Sequence, residues 1–144
     1  MKIFTIGFTK KNAENFFSLL KRPGLARVVD IRLRNDSQLA GFAKQDDLRY
    51  FLREICGVDY VRVLELAPTE EILDGFKKNK GDWAVYEKKF LDLLKSRKVE
   101  KILDRATLDG GCLLCSEATP DRCHRRLVAE YLKKHWGDVE ILHL

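Results

Sequence analysis

Apolar residues fall into two spacings along this chain, and the alternation of the two is its main structural signal. Short apolar runs bounded by turn residues mark buried strands: Ile3-Phe4-Thr5-Ile6 ending in Gly7, then Ala26 to Arg32, Val58 to Leu64, Cys112 to Cys115 and Val139 to Leu142. Between them apolar residues recur at every third and fourth position, the spacing of one helix face. Ala13, Phe16, Phe17 and Leu20 form the inward face of a first helix, with Thr9 as its cap and Pro23-Gly24 as its stop. Leu48, Phe51, Leu52 and Ile55 do the same for a helix over about 46–55, closed by Gly57. Helices over about 69–78 and 82–95 follow, joined through Asn79-Lys80-Gly81. A last helix, opened by Thr119-Pro120 and running to about His135, buries Leu127, Val128, Tyr131 and Leu132. Residues 33–43 read as irregular, and 108–111 as a break.

Strands alternating with helices predict an α/β fold. The expected form is a single three-layer domain over residues 1–144, with a mostly parallel sheet of about five strands and helices on both faces. Ligands of such sheets bind outside the carboxyl ends of the strands. That rule collects Gly7-Phe8-Thr9, Asp30-Ile31-Arg32 and Cys115-Ser116-Glu117 onto one rim.

Composition changes this picture little. The chain has 144 residues, enough to bury a core without staples. Its 27 basic and 22 acidic residues leave a net charge of +5, which permits phosphate or nucleic-acid binding without demanding it. The basic pairs Lys10-Lys11, Lys77-Lys78, Lys88-Lys89 and Lys133-Lys134 read as solvated surface. No apolar run approaches the ~18 residues that span a membrane, and Met1 to Gly7 lacks the layout of a signal peptide. A cytoplasmic protein is therefore expected, without membrane partners. Its four cysteines would then be structural, catalytic or metal-binding rather than disulfide-bonded.

The candidate chemistry lies between residues 115 and 125. Counting from a cap at Thr119 places Asp121, Arg122 and Cys123 in the first helical turn, near the free backbone N–H groups that attract anions and lower thiol pKa values. His124 precedes Leu127 by three and Val128 by four, so it points toward the sheet. Arg126 pairs with Glu130 across one turn. Glu117, directly after a buried strand, needs a partner, for which Arg32, Arg125 and His124 are candidates. Cys112 and Cys56 read as structural. Cys112, Cys115, Cys123 and His124 could in principle hold zinc. An extended strand, however, points residues 112 and 115 to opposite faces, and adjacent side chains on a helix diverge. No metal and no cofactor are therefore expected. The loop from Cys115 to Arg122 resembles only loosely those of phosphatases and rhodaneses, being longer and carrying Glu117.

Several pieces together carry a closer likeness: Thr5-Ile6-Gly7-Phe8-Thr9, Val29-Asp30-Ile31-Arg32, and Leu113-Leu114-Cys115-Ser116-Glu117 followed by Cys123-His124-Arg125. Their order and spacing resemble, from end to end, the uncharacterised family catalogued as domain of unknown function 488. The resemblance implies a small three-layer α/β domain with signature positions at Arg32, Cys115, Glu117, Cys123, His124 and Arg125. It implies no reaction. Phe8-Thr9 stands where many members have His-Ser, and Leu66-Ala67-Pro68 where many have a glycine pair.

The leading functional expectation is an enzyme or binding protein for a small anionic, nucleotide- or phosphate-bearing ligand. Cys115 or Cys123 would be the nucleophile, His124 the base and Glu117 its orienting group. Arg32 and Arg125, with Thr9 on the same rim, would bind the ligand. One alternative is a nucleic-acid-associated module touching a backbone through residues 34–44. Another is a non-catalytic domain whose polar residues form a structural network.

Overall fold

The computed structural model describes residues 1–35 and 41–144. Residues 36–40, the middle of the segment expected to be irregular and to offer backbone contacts, lie outside the described residues. Five strands form one sheet: β1 (Lys2–Gly7), β2 (Arg27–Asp30), β3 (Asp59–Arg62), β4 (Gly111–Cys115) and β5 (Glu140–His143). Every pairing is parallel and the spatial order is β3-β2-β4-β1-β5.

The two-residue period of the strands builds two cores from the same segments. Phe4, Ile6, Val28, Cys112 and Leu114 face one way. They pack on Phe16, Phe17 and Leu20 of α1 (Ala13–Leu20), on Leu48 of α2 (Gln45–Phe51), and on Leu52 just beyond it. Ile3, Val29 and Leu113 face the other way. Their partners are Tyr86, Phe90 and Leu94 of α4 (Trp83–Arg97) and Leu127, Val128 and Leu132 of α7 (His124–Trp136). The result is the three-layer α/β arrangement read from the alternation of spacings.

Element boundaries follow the caps. α2 continues into a wider helical turn over Leu52–Cys56 and ends at Gly57, whose φ of 66° is the left-handed conformation glycine adopts freely. Thr69 caps α3 (Glu70–Lys77) and Asp82 caps α4, each accepting a backbone N–H in the first turn. Two boundaries differ from expectation. α1 is capped by Asn12, whose Oδ1 accepts from Asn15 N at 2.8 Å, and not by Thr9. The Thr9 N–H is instead committed to the Ser116 carbonyl at 3.0 Å. α7 starts at His124 and not at Thr119-Pro120, leaving 116–123 as a loop. The short helices α5 (Val99–Ile102) and α6 (Arg105–Leu108) occupy a stretch with no periodic signal, being only four residues each.

The order of strands determines where a ligand could sit. β1 and β4 are neighbours, yet α1 leaves β1 toward one core and α7 leaves β4 toward the other. Between these diverging connections the carboxyl ends of the sheet open into a crevice.

Candidate functional site

A cleft of about 690 Å³ occupies that crevice. Phe8, Thr9, Arg32, Cys115, Glu117, Cys123 and His124 all line it, so the expected rim residues meet. Arg125 does not line it.

The first requirement for the site is a glycine. Gly7 pairs with Cys115 across the β1–β4 ladder, and a side chain there would collide with the Glu117 carbonyl and come within 2.8 Å of Arg125 Nη1. The bare glycine lets the loop after β4 fold back across β1. Arg125 fixes that loop from beneath: it is fully buried, and its Nη1 donates to the Glu117 carbonyl at 2.7 Å. Its Nε and Nη2 have no hydrogen-bond partner among the described residues. Burial, the dominant cause, lowers the pKa of this guanidinium.

At the buried end of the cleft three groups converge. His124 Nε2 lies 2.7 Å from the Ile31 carbonyl, and its Nδ1 lies 3.3 Å from Cys115 Sγ. A carbonyl only accepts, so Nε2 carries the proton of the neutral ring and Nδ1 turns its lone pair toward Cys115 Sγ. The ring also packs edge-on against Phe90, with centroids 5.4 Å apart. Burial is the main cause that lowers the His124 pKa to about 4, outweighing the hydrogen bond to Ile31, which raises it. The imidazole is thus neutral at ordinary pH.

Cys123 comes third. As the residue before α7 it is extended, with φ −139° and ψ 139°, so its side chain turns back toward the end of β4 and forms a disulfide with Cys115. This corrects two expectations at once. The cysteines were expected to be unpaired, and Cys123 and His124 were expected to diverge as neighbours on one helix. The helix begins too late for that, and the donor atoms of Cys115, Cys123 and His124 lie within 4.8 Å of one another. In reduced form the same three atoms could serve as metal donors. Cys112 faces the opposite core as the strand period requires, and full burial pushes its thiol pKa up strongly.

Arg32 is buried and held by Asp30 through two contacts, Nε to Oδ1 at 2.8 Å and Nη2 to Oδ2 at 2.9 Å. Tyr60 donates a further bond to Asp30 at 2.6 Å, and the guanidinium lies over the Phe8 ring. The Glu117 side chain takes none of the three partners expected for it, although Arg125 reaches its backbone carbonyl. Its carboxylate pairs with Lys77 from α3, and the group that orients His124 is the Ile31 carbonyl.

Sequence reasoning missed the rest of the lining. Lys10, Lys11 and Arg122 face the cleft and make no ion pair among the described residues, whereas Arg32, Arg34 and Lys77 are each paired with acids. The Lys11 pKa is lowered, first by burial and then by the like charge of Arg125. Phe76, Trp83 and Tyr86 supply an apolar side, with Trp83 and Tyr86 stacked at 4.9 Å. Nothing local marks a lysine pair or a core-spaced aromatic as cleft lining, because the surface that joins them forms only when α3 and α4 fold against the sheet.

The family model described as "Domain of unknown function DUF488" matches residues 12–132. No curated protein and no solved structure gives a significant match.

Proposed function

The chain belongs to the DUF488 family, and we propose that it is a thiol-dependent enzyme for a small anionic ligand. The observation that carries this reading is the contact of Cys115 Sγ with His124 Nδ1, and of His124 Nε2 with the Ile31 carbonyl, at the buried end of a cationic cleft. A neutral imidazole held by a third group is the arrangement that activates a thiol nucleophile. His124 takes the proton as the Cys115 sulfur attacks, in a cleft lined by Lys10, Lys11, Arg32 and Arg122. The ligand's anionic group, a phosphate or carboxylate, binds Lys10, Lys11 and Arg122, while an apolar portion lies on Trp83 and Tyr86. Arg32, preset by Asp30, and the exposed Thr9 complete the binding rim.

The test is alkylation of the reduced protein at neutral pH, read residue by residue by mass spectrometry. Iodoacetate, being anionic, is expected to label Cys115 faster than neutral iodoacetamide does. His124→Gln is expected to slow both by roughly tenfold or more. Labelling of Cys115 no faster than that of the half-exposed Cys56, with no preference for the anionic reagent, refutes the proposal. A thermal-shift screen of phosphates, nucleotides and carboxylates then ranks ligands, since whatever binds the folded state raises its stability.

A further inference from the structure

Activation of Cys115 by His124 leaves Cys123 without a task. Yet its Sγ is the atom bonded to Cys115 Sγ in the structure, and both side chains line the same cleft. The extended conformation of Cys123 and the late start of α7 aim this second sulfur at the first. A thiol placed to attack whatever forms on its neighbour is a resolving thiol. We infer that Cys115 and Cys123 act as a dithiol pair that reduces a small anionic disulfide, with Cys115 as the attacking and Cys123 as the resolving cysteine. The inference rests on the activated Cys115 proposed above and names the substrate class of that site.

The chemistry balances as follows. His124 Nδ1 takes the Cys115 proton, and the thiolate attacks one sulfur of the substrate R–S–S–R. The substrate S–S bond breaks, a Cys115–S–S–R mixed disulfide forms, and R–S⁻ leaves with the proton from His124. Cys123 then loses its proton to the same imidazole and attacks Cys115 Sγ. The mixed disulfide breaks, the Cys115–Cys123 bond forms, and the second R–S⁻ leaves as R–SH. The substrate has gained two electrons and two protons, and the protein dithiol has become a disulfide. An external dithiol reductant must return it to the reduced state. Carboxylates on R select this cleft through Lys10, Lys11 and Arg122, the cations that no acid neutralises among the described residues. Cys112 takes no part because it lies in the opposite core.

The probe is dithiobis(nitrobenzoate), an anionic aromatic disulfide whose released thiolate is coloured; neutral dithiodipyridine is the comparison. The protein is the full reduced chain carrying Cys56→Ala, which removes the half-exposed background thiol. The expected result is rapid release of both halves of the probe, with none left on the protein and Cys115 joined to Cys123. Cys123→Ser is expected to release only the first half and hold the second on Cys115, and Cys123→Ala, as an independent variant, to do the same. Lys11→Gln is expected to cut the preference for the anionic probe over the neutral one, by about tenfold if steering is of the usual size. Retention of a mixed disulfide on Cys115 in the parent chain would overturn the inference. So would first attack by Cys123, seen as a normal initial rate in Cys115→Ser, or stoichiometric zinc bound by both sulfurs in the protein as purified. If iodoacetate labels Cys115 rapidly while the parent chain retains the mixed disulfide, the dithiol inference fails alone. If Cys115 is unreactive to both reagents, the proposed function fails with it.

Discussion

His124 carries a proton-linkage consequence that follows from its burial alone. Its pKa lies at about 4 in the folded chain against 6.5 as the ordinary value. Between these two the unfolded chain binds a proton that the folded chain refuses, so the folded state is favoured above pH 6.5 and loses ground as the pH falls toward 4. The loss approaches about 3 kcal/mol at the lower end and then levels off. Urea midpoints measured across this range are expected to fall more steeply for the native chain than for His124→Gln; parallel curves would show that the ring is not held neutral. The inward direction of His124 was legible from its spacing to Leu127 and Val128. Its partners were not. The Ile31 carbonyl comes from just beyond β2, more than ninety positions earlier, and no local pattern encodes a backbone acceptor. Glu117 shows the same limit: its need of a cation was readable, but Lys77 lies on a helix whose packing decides which cation arrives.

Among the elements, those with a strong period of their own were readable, and the errors fell where tertiary contacts override local preference. Thr119-Pro120 is a good helix opening in isolation. In the fold the same segment is held back against the sheet end by the Arg125 bond to the Glu117 carbonyl, by the Thr9 bond to Ser116 and by the link from Cys123 to Cys115. α7 therefore starts only once those contacts are made. The junction of α4 and α5 shows the opposite situation, a local conformation that the residue does not favour. Lys98 caps α4 with φ 55° and ψ 46°, a left-handed geometry that costs a residue with a side chain about 1 kcal/mol. Lys98→Gly is expected to raise stability by up to about that amount, after allowing for glycine's greater freedom when unfolded. Chemical denaturation measures it, and a fall in stability would mean that the Lys98 side chain contributes more than its backbone costs.

At the scale of the whole molecule, the class of fold and the rim that collects the site could be read from alternating spacings, but the order of the strands could not. β4, fourth in sequence, lies between β1 and β2, and pairs Gly111 with both Ile3 and Arg27. Hydrophobic patterns identify strands without saying which neighbour each will take. The insertion makes the sheet depend on residues 111–115: a chain ending before residue 111 keeps β1 and β2 but loses the strand that joins them. Such a fragment is expected to lack a cooperative thermal transition by circular dichroism. A sharp transition would show that β1 and β2 pair directly when β4 is missing.

The central position of β4 also bears on how the protein is made. Translation delivers roughly 5–20 residues per second, so β1 and β2 wait on the order of ten seconds for the strand that fills the gap between them. Until β4 arrives, β1 lacks both of its sheet neighbours and β2 lacks one, and unpaired strand edges are the kind of surface that other chains recognise. Cys115 and Cys123 emerge only at the end of this wait, with β4 and just after it. The order of the chain thus brings Cys115 and Cys123 together only after β1, β2 and β3 have been made.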